Sequence, residues 1–337
     1  MQRSIVFATP HLKPLPELAR LAEASGFDRA WTTEFPGRDA LVRCGVIAAA
    51  TTTLRVGTGI AYGFTRHPLA LAAAALDLQE ATGGRFALGL GAGTKGMRWR
   101  WFGIRDEKPV ARLRETVAVI RVLEASTGLV SFHGAFYDVE VDGVDSKARL
   151  AGLPPLPVYG SGFNAAMMAG AAAWTDGILL HPLAASEQGQ QQVRAALAAA
   201  DPADLWLSQW VITAISDDGG QARDTARRTL AFYLSTPSYG RRLEGSPWEQ
   251  VPAVVAARFR EIGPDWERLA RDVPEEMVED YCIAGTAAEG RDQVGRIEES
   301  LARSGVRELV LQVAVTGLDE PATTVALTAA LRGLAPR

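Results

Sequence analysis

Cysteine is scarce in this 337-residue chain: Cys44 and Cys282 are the only two, and they lie too far apart in sequence to form a metal-binding or redox motif. The four histidines, His11, His67, His133 and His181, are equally scattered and offer no zinc-type cluster. Positive charge is not in excess. A net charge of −4 argues against a nucleic-acid partner, which usually requires a basic face. Long apolar runs are missing too, since stretches such as LALAAAAL are too short and too alanine-rich to span a membrane. The strand-like segment Ser4–Ala8 comes so early that no signal peptide is expected, and the expected compartment is the cytoplasm. There is no low-complexity linker and no short-period repeat, which favours one domain over residues 1–337.

With 47% hydrophobic residues, 22% charged residues and a mean hydropathy of +0.02, the chain reads as a soluble globular protein with a large core. Strand and helix patterns alternate throughout. Strands are predicted over Ser4–Thr9, Asp28–Thr33, the two β-type runs of Leu54–Gly96, Pro157–Gly160, Asp176–Leu180, Leu205–Ile215 and Glu308–Ala314. Helices are predicted over Leu15–Ser25, Asp39–Thr51, Val110–Glu124 behind Pro109, Asn164–Ala173, Glu187–Ala199, Gly219–Leu234, Thr286–Ser304 and Pro321–Leu334. A hairpin, Leu129–Phe132 and Phe136–Val141 turned at His133-Gly134, follows strand four. A helical insertion, about 235–281, follows strand seven. Eight strands, each followed by a helix, specify a parallel (β/α)8 TIM barrel in the α/β class, with sites at the strand C-termini.

The most informative segment is Leu54–Gly96, in which two strands flank a helix opening at Pro68 and closing at Gly83-Gly84. Both strands end in glycine, at Gly57, Gly59, Gly91 and Gly93. Glycine permits close backbone approach, so a cofactor lying across the strand ends is expected. Gly91-Ala-Gly93-Thr-Lys-Gly96 also matches G-x-G-x-x-G, the dinucleotide fingerprint. Its context is wrong for a Rossmann loop: three strands precede it, and MRWRWFGI follows instead of an apolar helix. An unliganded glycine-rich turn is the blander alternative. Trp31, Phe35, Tyr62, Phe64, Trp99 and Trp101 fall near strand ends and could wall an aromatic ligand, although each alone is more often core packing. Lys95, Arg98 and Arg100 form a local basic cluster, for which solvation is the default reading. Small residues before the helix at Asn164 expose N–H groups and a positive dipole end, which suits a phosphate or an ordinary cap equally.

The Leu54–Gly96 segment, with its Thr65-Arg66-His67-Pro68, resembles the luciferase-like monooxygenase superfamily, in particular the branch that uses the deazaflavin coenzyme F420. The resemblance runs from the first strand to AGTAAEGRDQV near the C-terminus. It implies hydride transfer between the deazaflavin C5 and an organic substrate, with an FMN-dependent monooxygenase or a catalytically silent flavin-binding protein as alternatives. It implies a bulge after strand three, carrying a non-prolyl cis peptide, so that Thr58, Gly59 and Ile60, with Gly91 and Gly93, hold the ring. It places the cofactor phosphate at Gly160, Ser161 and Gly162, with His181 lining the same end. Glu34 is the candidate acid, and His11 and His67 are the alternative proton donors. Desolvation between Trp31 and Phe35 would make Glu34 a usable acid. Relatives that oxidise a sugar phosphate carry a histidine and a glutamate where this chain has Phe35 and Thr94, which removes that acid/base pair. A homodimer is expected by the same resemblance. No metal is.

Overall fold

Short apolar strands separated by amphipathic helices can bury both faces of a sheet only if the sheet closes on itself under a coat of helices. The computed structural model of the protein, which describes residues 1–105, 108–198 and 205–336, has this form. Its strands are β1 (Gln2–Phe7), β2 (Arg29–Thr32), β3 (Arg55–Thr58), β4 (Ala61–Tyr62), β5 (Phe86–Gly91), β6 (Gly128–His133), β7 (Asp138–Val144), β8 (Val158–Gly162), β9 (Gly177–Leu180), β10 (Trp206–Ile215), β11 (Cys282–Gly285) and β12 (Glu308–Val313). Eight of them run parallel in the order β12-β1-β2-β3-β5-β8-β9-β10, and β10 pairs back to β12 to close the barrel. The helix Leu15–Ala24 illustrates the coat: Leu15, Leu18, Ala19 and Ala22 recur at helical spacing and are buried.

The structure departs from the expected elements in several places. Lys95–Phe102 is a helix, where the alternating cations and indoles gave no helical reading; Thr94 caps its start by accepting from the Met97 N–H, and Gly103 ends it at φ 67°. Cys282–Gly285 is a strand, paired with Ile212–Ile215 where β10 runs on past β9. Thr286 still caps the helix that follows, in a reciprocal capping box with Glu289. The β6–β7 hairpin turns beyond His133, which pairs with Asp138 inside the ladder. The helix from Glu187 runs to Leu197, and its expected last residue, Ala199, lies outside the described residues. Between Ser235 and Tyr281 the described elements are all helical, from Pro237–Gly240 to Glu275–Tyr281.

Inside the barrel, large rings and missing side chains interlock. Trp31, Tyr159 and Trp210 pack with Val6, Ala87, Leu179 and Val310. Trp31 fills the space a Cβ on Gly57 would need, and Trp210 does the same at Gly59. The absence of side chains at these two glycines therefore makes room for the indoles. Below the rings lies a polar floor that the sequence reading missed. Glu308 is fully buried and accepts hydrogen bonds from Ser4 Oγ (2.5 Å), Ser208 Oγ (2.5 Å), Trp31 Nε1 (3.1 Å), Trp206 Nε1 (3.3 Å) and the Arg29 guanidinium (3.3 Å). Burial alone would raise its carboxyl, but the Arg29 charge and the donors from Ser208, Ser4 and Trp31 outweigh it and hold the group below its ordinary value.

Breaking a buried pair by removing one partner typically costs about 3–5 kcal/mol. Glu308→Ala is expected to lose stability of that order in urea unfolding. Because the folded value is depressed, the contribution is complete above the ordinary carboxylate value of 4.5 and fades as pH falls through the folded value. Wild type should therefore lose stability on acidification below that point more steeply than the variant. A variant with wild-type stability would show that the floor is dispensable.

Candidate active site

The C-terminal mouth of the barrel is shaped by a break between β3 and β5. Gly57 pairs with Ala87 before the break and Ala61 pairs with Leu90 after it, so four steps on one strand oppose three on the other: a bulge of one residue. The Gly59–Ile60 peptide within it is cis and not prolyl. Thr58 is committed below the bulge, because its Oγ1 donates to the Gly89 carbonyl (2.8 Å) and accepts from the Gly89 N–H (2.9 Å). Glu34 clamps the bulge from β2. Its N–H donates to the Ile60 carbonyl (3.1 Å), one carboxylate oxygen accepts from the Tyr62 N–H (2.6 Å), and the other accepts from Arg66 (2.6 Å). Arg66, the arginine of Thr65-Arg66-His67-Pro68, also donates to Asp39, which caps the helix Ala40–Ala49. Both oxygens of Glu34 thus already accept hydrogen bonds.

The opposite wall comes from β8, β9, β10, β12 and the helical insertion. His181 follows β9, and its Nδ1 accepts from the Leu183 N–H (3.2 Å), so in the neutral ring the proton sits on Nε2. Burial, with the Arg242 charge adding to it, pushes the imidazole down to about 3, which keeps it neutral. Phe163, Tyr233 and Tyr239 surround it at ring separations of 5.0, 4.7 and 4.7 Å. Gln312 shares the inward face of β12 with Glu308 and Val310, and donates to the Tyr233 hydroxyl (2.6 Å). Three buried polar atoms on this wall have no partner among the described residues: His181 Nε2, Trp210 Nε1 and Gln312 Oε1. Buried polar atoms are normally satisfied, so two donors and an acceptor left over at one barrel mouth mark a place for a polar ligand edge. Burial raises the Tyr62 phenol to about 12, with Tyr239 from this wall and Glu34 adding to the shift.

The remaining expected site residues divide. Gly91 faces Ile60 and Ser161 at the mouth, and Gly93, at φ 64°, lies against the Tyr62 ring. Gly160 and Gly162 turn outward instead: a Cβ at Gly160 would meet Ala171 Cβ at 2.6 Å, and one at Gly162 would meet Met168 Cγ at 2.5 Å. Their small size lets the helix Ala165–Ala172 pack down on β8. His67 is exposed and caps the helix Pro68–Ala81 through Nδ1, while its ring touches Tyr137 of the hairpin. His11 is exposed beside Glu320, 3.7 Å away. Of the expected aromatic wall, Trp31 belongs to the interior and Phe64 is buried, whereas Phe35, Trp99 and Trp101 form an exposed rim on which Trp101 meets Phe35 and Tyr62 edge-on. Arg98 is turned into the fold and donates to the Ala92 and Gly93 carbonyls. Among the described residues no group of three or more histidine, cysteine or acidic side chains could hold a metal ion, and no helix is long and apolar enough to cross a membrane. Gln312, Tyr233 and Tyr239 were missed; the one available signal was the pattern Glu-Leu-Val-Leu-Gln-Val, with two polar residues on a single face of an apolar strand.

A closed parallel barrel whose C-terminal mouth carries a bulge, aromatic walls and unsatisfied polar atoms is a TIM-barrel enzyme architecture. The chain belongs to the luciferase-like monooxygenase family, whose model matches residues 2–304. It is 31% identical over 300 residues to the 5,10-methylenetetrahydromethanopterin reductase of Archaeoglobus fulgidus, covering 86% of each chain. Two solved structures share the fold. One is a coenzyme F420-dependent tetrahydromethanopterin reductase from Methanopyrus kandleri (TM-score 0.79, 20% identity, 98% and 97% of the two chains). The other is an F420-dependent secondary alcohol dehydrogenase in complex with an F420-acetone adduct (TM-score 0.71, 18% identity, 98% and 97%).

The placement of Gly160 changes what its substitution should do. Gly160→Val drives a branched side chain into Ala171 and should destabilise the fold by about 1–3 kcal/mol, the usual cost of overpacking. Urea unfolding measures it. Unchanged stability would mean that the helix Ala165–Ala172 yields freely, and that its packing does not explain the glycine.

Proposed function

We propose that the protein is an F420-dependent oxidoreductase that moves a hydride between the deazaflavin C5 and a small organic substrate. The observation that carries this reading is the set of atoms unpartnered among the described residues, His181 Nε2–H, Trp210 Nε1–H and Gln312 Oε1, on a wall whose Trp210 ring packs against Gly59 of the bulge. A planar heterocycle with a mixed donor and acceptor edge suits such a set. The similarity to a methylenetetrahydromethanopterin reductase supports the same class of chemistry. When bound, F420 supplies the hydride donor or acceptor at C5. The chain supplies placement: Ile60 at the bulge, Gly91, Gly93 and Ser161 along the strand ends, and Tyr233, Tyr239 and Phe163 to keep water out. His181 acts as a neutral hydrogen-bond donor. Glu34 acts as a positioning residue, because its two oxygens are taken up by the Tyr62 N–H and by Arg66. His11, exposed near the barrel rim, and His67 are left as the alternative proton donors. A cytoplasmic homodimer, which the family resemblance implies, belongs to the same proposal.

Two measurements test this. F420 should bind at least tenfold more tightly than FMN in a fluorescence titration, a difference of about 1.4 kcal/mol. Equal or tighter FMN binding would transfer the protein to the flavin monooxygenases. Glu34→Gln removes one charge-assisted contact of about 1.5–3 kcal/mol, so F420 affinity should fall about tenfold or more. Hydride transfer in the saturated variant should stay close to wild type. A loss of about 10²–10⁴ at saturation, with affinity intact, would instead make Glu34 the general acid.

A further inference from the structure

Arg38 and Arg43 are two cations that have no counter-ion among the described residues. Arg38 lies in the turn between β2 and the helix Ala40–Ala49, and Arg43 lies on that helix. Arg43 is buried and donates to Thr9 Oγ1 (3.0 Å) and the Pro10 carbonyl (3.1 Å). Arg38 is half-buried, and its Nη1 donates to the Ala8 carbonyl (3.0 Å) and the Thr9 carbonyl (3.4 Å). Both thus strap the loop that follows β1. The acids closest to them in sequence are already committed, because Glu34 and Asp39 both hold Arg66. Burial lowers both guanidiniums, and the Arg38 charge lowers Arg43 further. Carbonyls offer only partial charges, so a nearby anion would stabilise the pair. The Nε–Nη2 edge of Arg38 makes no hydrogen bond among the described residues and is open to a guest. The same arginine adjoins an apolar surface. Its guanidinium sits 5.3 Å from the Phe35 ring centroid, Phe35 meets Trp101 edge-on at 5.2 Å, and Trp101 reaches Tyr62 at 6.5 Å. Tyr62 belongs to β4, directly after the bulge, so the rings lead from the bulge out to Arg38. Phe35 and Trp101 are both exposed, and adjoining exposed rings mark a surface for a partner or ligand.

We propose that the organic substrate is a planar aromatic acid, whose ring system lies on Phe35 and Trp101 and whose carboxylate is held by the Nε–Nη2 edge of Arg38. The inference rests on the F420 reading above and adds to it a substrate class. A carboxylate suits that edge because two parallel N–H groups meet two oxygens. Flat rings offer a flat guest face and edge contacts, and Arg43 adds a second positive charge nearby. A neutral aromatic alcohol would use the rings alone, and an aliphatic acid the arginine alone.

The test titrates the F420-loaded protein calorimetrically with 2-naphthoate, the neutral 2-naphthalenemethanol and cyclohexanecarboxylate. Wild type should bind 2-naphthoate more tightly than either of the others by about tenfold or more. Arg38→Met should bring 2-naphthoate to within roughly twofold of the alcohol. Arg38→Lys should fall between, because it keeps the charge and loses the fork. Trp101→Ala should weaken both naphthalene probes by roughly threefold or more and leave cyclohexanecarboxylate unchanged. Neither variant should shift F420 affinity by more than about twofold. Equal binding of 2-naphthoate and its alcohol to wild type, or an acid preference that survives Arg38→Met, would overturn the class and leave Arg38 a strap for the loop. Naphthalene binding that Trp101→Ala does not weaken would overturn the ring surface. If Arg38→Met does not fold, the wild-type comparison decides. If wild type does not bind F420, the same titrations are made on the unloaded protein. An acid preference that depends on Arg38 there would keep the ligand class and sink the cofactor reading, and its absence would overturn both.

Discussion

The buried carboxylate of Glu308 is the constraint from which the rest of the barrel is built. Its donors come from β1 (Ser4), β2 (Arg29, Trp31) and β10 (Trp206, Ser208), while the residue itself sits on β12. A charge in that position is tolerable only if every donor is in place, so it fixes the register of four strands at once. The consequences climb the barrel. Trp31, held by its Nε1, fills the space beside Gly57, and Trp210 one layer higher fills the space beside Gly59. Gly59 opens the bulge that forms the floor of the candidate site. A slip of one residue in β12 would turn Glu308 and Gln312 outward together, so the stability of the floor and the chemistry of the mouth share one register.

Much of the architecture could be read from the sequence because it rests on local signals. Pro68, Pro109 and Gly83-Gly84 mark helix ends, and apolar runs mark parallel strands. The bulge was implied by the resemblance, which Thr65-Arg66-His67-Pro68 helped to carry, and the sequence itself showed only Gly59 at a strand end. What stayed hidden depends on contacts distant in sequence. Nothing local distinguishes Gly160, which makes room for Ala171, from a glycine that admits a phosphate. Nothing near Glu34 announces that Arg66 and the Tyr62 N–H will occupy both its oxygens. The strand Cys282–Gly285 exists because β10 outruns β9 and exposes an unpaired edge, a fact about lengths in space. The helix Lys95–Phe102 did have local signals in Thr94 and Gly103, which the alternating cations and indoles masked.

The mouth joins two kinds of wall with different physical duties. The bulge side is held by charge: Glu34, Arg66 and Asp39 form a bonded chain that anchors Tyr62 and a helix cap. That side is rigid because each partner is fixed by another. The insertion side is held mainly by rings, with Phe163, His181, Tyr233 and Tyr239 in edge-on or tilted contact. Edge contacts between rings tolerate small rotations at little cost, which suits a wall that must close over a planar guest. Hydride transfer benefits from such a division, since it needs one fixed surface for placement and one adaptable surface to exclude water.

The state of His181 follows from this arrangement and limits its role. Burial is the larger cause of its lowered value, and the Arg242 charge the smaller. The ring is therefore neutral near pH 7, and its Nε2 is an N–H donor. A donor of constant charge can polarise a carbonyl or orient a ring edge, but it cannot act as an acid that cycles its proton near neutral pH.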